Sequence, residues 1–443
     1  MALFKLGKTK IPHRKNTAAM PAFRMAPPSV VEIPTSQHIG APATPTVKAG
    51  DKVFVGTLIA EAGGFVSAPV HSSVSGTVKK IGTFLMSNGR NCASIIIESD
   101  GEMTPEPSLT PPTVTDYESL SAAARAAGLV GRGGAGFPTS VKLDPKKVGE
   151  IDTLIINGAE CEPYITSDTR TMLDDADYVV RGVTKVLDLS AIPRAIIGIE
   201  ANKPECIAKM REVFASDKRV SVVSLPSLYP QGGEKILIYN TTGRAVPEGK
   251  LPSDVGVLIM NVTTVAALAK YLETGMPLVE KCLTVDGSAI ASPKNVIVPI
   301  GTPVGEVIRA CGGFSEEAGK IFYGGPMMGT CIYSLDAPVL KNNNAITALS
   351  KKDSKNPRTT ACIHCGRCVA ACPMGLNPTI FARAMGMANS ADRAEKLSEA
   401  KVNLCIECGC CSFVCPAKRP LVENNRLAKA DLREFTAKQA KKD

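Results

Sequence analysis

The 443-residue chain contains no tryptophan and only four histidines, and aromatic residues make up 5% of it. With so few stacking side chains and no recognised binding motif, nucleic acid is not an expected partner. His13, His38, His71 and His364 show no metal-ligand spacing. Long hydrophobic runs are also missing. The nearest approach, Val255 to Ala269, is interrupted by Gly256, Asn261, Thr263 and Thr264, whereas a membrane-spanning helix needs about 20 predominantly apolar residues. It reads instead as a buried strand running into a helix. No signal peptide opens the sequence, and 15 cysteines without one imply a reducing, cytoplasmic compartment. An odd cysteine count in so long a chain argues against a disulfide framework.

What the sequence has is concentrated near its C-terminus. Eight of the cysteines form two copies of Cys-x2-Cys-x2-Cys-x3-Cys-Pro: Cys362, Cys365, Cys368 and Cys372 before Pro373, and Cys405, Cys408, Cys411 and Cys415 before Pro416. This spacing lets three thiolates of one tight loop cap three irons of a [4Fe–4S] cluster. In two-cluster ferredoxins the fourth cysteine of each run ligates the other cluster. The expected sets are Cys362, Cys365, Cys368 and Cys415 for one cluster, and Cys405, Cys408, Cys411 and Cys372 for the other. A zinc site would more often show two separated Cys-x2-Cys pairs around one ion. Cys410 lies off the pattern and reads as a small buried residue. His364 either tunes the cluster environment or is an exposed bystander.

The net charge is +9, and basic residues gather after Pro416, from Lys418 and Arg419 to Lys441 and Lys442. Such a run suits an acidic partner or an anionic membrane face, and equally a solvated helix end.

Composition shifts divide the chain into a Pro-rich basic arm (1–36), a segment of short β-runs and glycine turns (37–100) and a Pro/Thr-rich linker (101–116). An α/β segment (117–254) follows, then a β-rich one (255–340), a charged linker (341–358) and the cysteine domain (359–443). Leu154-Ile155-Ile156 and Ala195-Ile196-Ile197 read as buried strands of βα units. Pro378 to Ala400, Ala/Met-rich with helical spacing, makes the cysteine domain an α-helical ferredoxin.

Gly131-Arg132-Gly133-Gly134-Ala135-Gly136-Phe137-Pro138 places four glycines within six residues. Such a backbone takes positive φ freely and turns successive N–H groups toward an anion. Arg132 and Lys142 would add charge-assisted bonds. The loop is neither a Walker A sequence nor the spaced Gly-x-Gly-x-x-Gly of a dinucleotide turn, and taken alone it is as consistent with a simple turn. The acidic loop after Leu154-Ile155-Ile156, with Asn157, Glu160, Cys161 and Glu162, is by itself consistent with a solvated loop.

The ordered set of this glycine loop, Asn157-Gly158-Ala159-Glu160-Cys161-Glu162-Pro163, Tyr229-Pro230-Gln231-Gly232-Gly233-Glu234 and Asn261-Val262-Thr263-Thr264 resembles the flavin- and NADH-binding subunit of respiratory complex I. That resemblance implies FMN held by Gly131, Arg132, Gly133, Gly134, Lys142, Asn157, Tyr229, Gly232, Asn261 and Thr264. It implies NAD(H) facing Glu160, Glu162 and Glu234. This chain has Ala159 and Tyr164 where that family has Asp and Gly, and Gly233 where it has Glu.

Val47 to Val53, Gly56, Ala68-Pro69 and Ser75-Gly76-Thr77-Val78 resemble the barrel-sandwich hybrid fold of biotinyl and lipoyl domains. The tip Glu61-Ala62-Gly63-Gly64-Phe65 lacks the lysine that carries their prosthetic arm. The order of parts, together with Gln37-His38-Ile39-Gly40-Ala41-Pro42, Gly324-Gly325-Pro326-Met327-Met328-Gly329 and Cys415-Pro416-Ala417-Lys418-Arg419-Pro420-Leu421, resembles the RnfC family of Rnf electron-transport complexes. The implied fold is multidomain α/β plus α+β: barrel-sandwich hybrid, Rossmann-like flavin domain, SLBB-like β-grasp domain and α-helical two-cluster ferredoxin domain. The implied role is exchange between NAD(H) and ferredoxin coupled to Na⁺ or H⁺ transport. Expected partners are the other subunits of a membrane complex, including a ferredoxin-type iron–sulfur subunit, with the chain peripheral on the cytoplasmic face. Two further readings are a soluble flavin/iron–sulfur cobalamin reductase and a non-enzymatic electron-wiring subunit.

Overall fold

The computed structural model describes residues 9–440 apart from 88, 133, 135 and 147. Gly133 and the first eight residues of the arm therefore lie outside the described residues.

Two small antiparallel sheets build the hybrid domain. One has the order Val30–Pro34, Asn91–Ser99, Gly76–Leu85, Lys52–Val53, and the other Thr44–Pro45, Leu58–Glu61, Val70–His71. Their inner faces enclose Val31, Ile33, Ile59, Val70, Ile95 and Ile97. The strand Val30–Pro34 falls within the segment that reads as an irregular arm. Only Val31 and Ile33 mark the alternation there, too short a pattern to stand out among prolines. The lysine-less tip is pinned to the next domain, because the Arg125 guanidinium donates to the carbonyls of Gly64 at 2.8 Å and Phe65 at 3.2 Å.

A four-stranded parallel sheet follows, ordered Val220–Leu225, Ala195–Glu200, Thr153–Gly158, Val257–Asn261. Its central strands are apolar along their length because helices cover both faces, and Leu154, Ile155, Ile156, Ala195, Ile197 and Ile199 are fully buried. The chain starts the sheet at Thr153–Gly158, builds outward on one side, then returns to the other side with Val257–Asn261. The crevice at the carboxyl ends of these two strands is thus a topological switch point, the usual ligand position in open α/β sheets.

The β-rich segment forms a six-stranded mixed sheet, ordered Phe23–Arg24, Lys294–Pro299, Glu280–Asp286, Ala345–Ser350, Ala318–Tyr323, Thr330–Cys331. Two of these strands come from segments that read as arm and linker. Ala345–Ser350 pairs with Glu280–Asp286 on one side and Ala318–Tyr323 on the other. Its apolar run is short and flanked by Asn342-Asn343-Asn344 and Lys351-Lys352, which mask it. From residue 359 onward the described residues form only helices, the longest being Leu421–Gln439.

Residues 9–20 run through the interior between these parts. Thr17, Thr166, Thr284 and Asn295 are all buried and hydrogen-bonded to one another, which ties the arm, the parallel sheet and the mixed sheet together.

Helices Ala176–Ser190 and Val262–Thr274 pack closely because Gly182 has no side chain: a Cβ there would lie 2.3 Å from the Val265 carbonyl oxygen. Alanine favours a helix over glycine by about 1 kcal/mol, but overpacking costs about 1–3 kcal/mol. Gly182→Ala is expected to lower the thermal unfolding midpoint; a midpoint at or above wild type would show that the two helices separate freely.

Candidate flavin and iron–sulfur sites

At the switch point Asn157 and Asn261 are direct register partners on neighbouring parallel strands. Asn261 caps helix Val262–Thr274, its Oδ1 accepting from the amides of Thr263 at 2.8 Å and Thr264 at 3.3 Å. Its Nδ2 donates to Asp168 at 2.8 Å, and Asp168 also accepts from the Thr263 hydroxyl at 2.7 Å. Asn157 reaches sideways and donates to the Gly232 carbonyl at 3.0 Å. The Gly232 amide in turn points at Cys161 Sγ, 3.3 Å away.

The glycine-rich loop closes over this crevice. Its stem is formed by the Gly131 amide donating to the Phe137 carbonyl at 2.8 Å and the Thr139 amide to the Leu129 carbonyl at 3.0 Å. The Arg132 amide donates to Thr264 Oγ1 at 3.3 Å, which sets the loop against the N-terminus of the capped helix. Around Gly134 an added Cβ would meet nothing within 4 Å. The Arg132 guanidinium is enclosed, and burial draws its pKa down to about 10. Its Nε has no partner among the described residues. A buried cation with an orphaned donor beside a glycine loop and a helix N-terminus is the environment a phosphate group requires, so the residues fit a flavin nucleotide. Lys142 donates to the Ile259 carbonyl at 3.2 Å and pairs with the half-exposed Glu234 at 3.1 Å.

The acidic loop is engaged internally. Glu160, at φ +49°, caps helix Ser167–Asp174, accepting from the Asp168 amide at 2.6 Å and from the Thr169 hydroxyl at 2.6 Å. Burial pushes its carboxyl up to about 7. Lys15, from the arm, donates to the carbonyls of Glu160, Glu162 and Ile165 at 2.6–2.8 Å. Lys203 donates to the Ala159 carbonyl at 2.6 Å and pairs with the buried Glu200. Tyr164 stands at φ +70°, in the region that favours glycine. Its amide donates to the His13 carbonyl, and Arg14 lies over its ring. Sequence reasoning misses Lys15, Lys203 and Asp168. Lys15 lies in a patternless arm, and nothing local marks the other two.

Glu162 reaches across to the mixed-sheet domain. Its carboxylate accepts from the Met328 amide at 2.7 Å, the Met327 amide at 3.2 Å and the Tyr229 hydroxyl at 3.3 Å. Gly325 permits this approach, since a Cβ there would lie 2.3 Å from Glu162 Oε2. Tyr229 is buried, packed with Ile11, Cys408 and Cys410.

The eight motif cysteines divide between two cavities. One is lined by Cys372, Cys405, Cys408 and Cys411, and also by Cys410. The other is lined by Cys362, Cys365, Cys368 and Cys415. Both draw on both runs, and each holds a four-thiol set that fits a [4Fe–4S] cluster. Among the described residues no His/Cys/Asp/Glu group is arranged to hold a single metal ion. The first cavity adjoins the flavin crevice. A Cβ on Gly233 would lie 3.5 Å from Ile406 Cδ1, and one on Gly409 would lie 2.7 Å from the Met327 carbonyl oxygen. The second is more open, with Ile363 67% exposed; His364, at its rim, is exposed.

Family profiles match these parts in turn: the RnfC barrel sandwich hybrid domain over residues 3–102, the Nuo51 FMN-binding domain over 124–270, the SLBB domain over 283–330 and a 4Fe-4S dicluster domain over 358–419. The RnfC protein of the proton-translocating ferredoxin:NAD(+) oxidoreductase complex of Clostridium ljungdahlii is 45% identical over 83% of this chain and 81% of its own length. The chain belongs to the RnfC family. Its cofactors are accordingly FMN and two [4Fe–4S] clusters. Another family member, from the Na(+)-translocating ferredoxin:NAD(+) oxidoreductase complex of Acetobacterium woodii, is 43% identical over 95% of both chains. A third, from the ion-translocating oxidoreductase complex of Rhodobacter capsulatus, is 40% identical over 83% of this chain and 72% of its own. A crystal structure of an NAD+-reducing [NiFe]-hydrogenase shares the fold over 72% of this RnfC-family chain and 63% of that one, with TM-score 0.52 and 22% identity.

Burial raises the Glu162 carboxyl from 4.5 to about 7, against the pull of the Met327 and Met328 amides. The folded protein therefore holds this proton more tightly than the unfolded chain, and stability from the group is fully present below pH 4.5 and lost as pH rises through about 7. Glu162→Gln should remove that share of the pH dependence. Urea midpoints at pH 5, 6, 7 and 8 read it out, and identical slopes in both proteins would refute it.

Proposed function

We propose that this RnfC-family chain is the NAD-facing subunit of a membrane-bound, ion-translocating ferredoxin:NAD⁺ oxidoreductase complex. In this reading it works at the cytoplasmic face, peripherally, beside a ferredoxin-type iron–sulfur subunit. No described helix is long and apolar enough to cross a membrane, so attachment would come from partner subunits. When bound, FMN and the clusters supply the interconversion of a two-electron hydride and single electrons.

The chain's own residues hold and orient. The amides of Gly131, Arg132 and Gly134, with Gly133 between them, receive the flavin phosphate together with the Arg132 guanidinium. Asn261 and Thr264 present the helix N-terminus, and Lys142, Asn157 and Gly232 line the crevice. Glu234 is the acidic residue whose side chain is free to face the nucleotide, apart from its pairing with Lys142. Glu160, Glu162 and Tyr229 act at one remove by fixing the loops around it. Cys372, Cys405, Cys408 and Cys411 hold one cluster, and Cys362, Cys365, Cys368 and Cys415 the other.

The observation that carries the reading is the contact of the 405–411 cysteine loop with the Tyr229–Gly233 loop, whose Gly232 carbonyl Asn157 holds. One cysteine cavity thus abuts the flavin crevice while the second lies farther out. The RnfC profile on the hybrid domain, with relatives spanning most of the chain, favours a role within a complex over a soluble cobalamin reductase.

An anaerobic NADH titration of the FMN- and cluster-loaded protein, followed by visible absorption and EPR, tests this. Flavin bleaching and reduced-cluster signals are expected. No flavin binding and no response to NADH, with clusters reducible by dithionite, would leave only an electron-wiring role. Cys372→Ser and Cys405→Ser should each remove the same cluster, cutting bound iron from about eight to about four per chain. Cys362→Ser and Cys415→Ser should both remove the other. Distinct EPR spectra for Cys372→Ser and Cys405→Ser would overturn the crosswise assignment.

A further inference from the structure

The glycine-rich loop is held from outside its own domain. Lys341, just before strand Ala345–Ser350, is 1% exposed. Its ammonium donates to the Gly128 carbonyl at 2.8 Å, three residues before the loop, and to the hybrid domain's Pro69 carbonyl at 2.6 Å. Its amide donates to Gln37 Oε1 at 2.9 Å, and its carbonyl accepts from the buried Lys281 at 2.8 Å. The neighbouring Asn342 donates to the Gly134 carbonyl at 3.4 Å. At Gly136, φ +69°, an added Cβ would sit 3.1 Å from the Gln37 carbonyl oxygen and 3.2 Å from both Asn342 Cβ and His38 Cα. Residues 37–38 and 341–342 therefore grip the loop at both ends.

A glycine run loses more conformational freedom on ordering than any other sequence. Within its own domain this loop has only the stem bond Gly131–Phe137 and the Arg132–Thr264 contact. Burying an ammonium is costly unless it is fully hydrogen-bonded, and here its partners come from two other segments of the fold. We propose that Lys341, with Asn342 and Gln37, is a positioning residue of the flavin site. The hybrid domain, lacking a prosthetic lysine, then serves to set the shape of the loop that receives the phosphate. This rests on the reading that the loop receives FMN.

The test uses the full-length, cluster-loaded chain with Lys341→Met, Asn342→Ala and Gln37→Leu. Hydrogen exchange of the 131–137 amides is measured without FMN, and FMN dissociation constants are measured separately. If releasing the grip leaves the loop competent about a tenth of the time, the apparent dissociation constant for FMN rises about tenfold. Faster exchange at 131–137 with weaker FMN binding, at unchanged iron content, is expected for Lys341→Met, and smaller shifts of the same sign for the other two. Unchanged exchange in folded variants, or faster exchange with wild-type FMN affinity, would overturn the proposal. Should Lys341→Met fail to fold, the other two variants decide on the same criteria. Faster exchange in the variants of a wild-type protein that binds no FMN would uphold the grip and sink the flavin reading.

Discussion

Three ammonium groups sunk among backbone carbonyls hold this molecule's parts together. Lys15 takes three carbonyls of the acidic loop, Lys203 takes the carbonyl just before them, and Lys341 takes one from the hybrid domain and one from the stem of the glycine loop. A buried cation without partners would be prohibitive. Each therefore forces irregular backbone from separate segments to converge on one point. Irregular loops are what line the flavin crevice, and these lysines give them one shape.

The same economy explains the acidic loop. Glu160 and Glu162 look like nucleotide-facing groups when seen only as an Ala-Glu-Cys-Glu string. In the fold one caps a helix and the other seizes the amides of Met327 and Met328. Tyr164, at a left-handed position that suits glycine, is tolerated because the arm supplies its amide with an acceptor and its ring with a cation. The arm that reads as patternless is thus structural mortar for the loop it covers.

What is legible in the sequence follows from local spacing. The cysteine runs, the apolar strands Leu154–Ile156 and Ala195–Ile197, and the glycine loop all announce themselves within about ten residues. What is not legible depends on distant partners. Nothing near Lys341 signals that its ammonium will meet Pro69 and Gly128. Ala345–Ser350 is a central strand whose flanking Asn and Lys residues disguise it as a linker. Phe23–Arg24 becomes a strand only because Lys294–Pro299 offers it an edge.

Each cysteine cavity is lined from both runs, with Cys372 beside Cys405, Cys408 and Cys411, and Cys415 beside Cys362, Cys365 and Cys368. During synthesis neither cavity can close until the second run has left the ribosome. The first run must wait, with its thiols open, while the helices between the runs emerge. Loading of metal is therefore a late event in the life of the chain, and a product truncated before Cys405 completes neither four-thiol set.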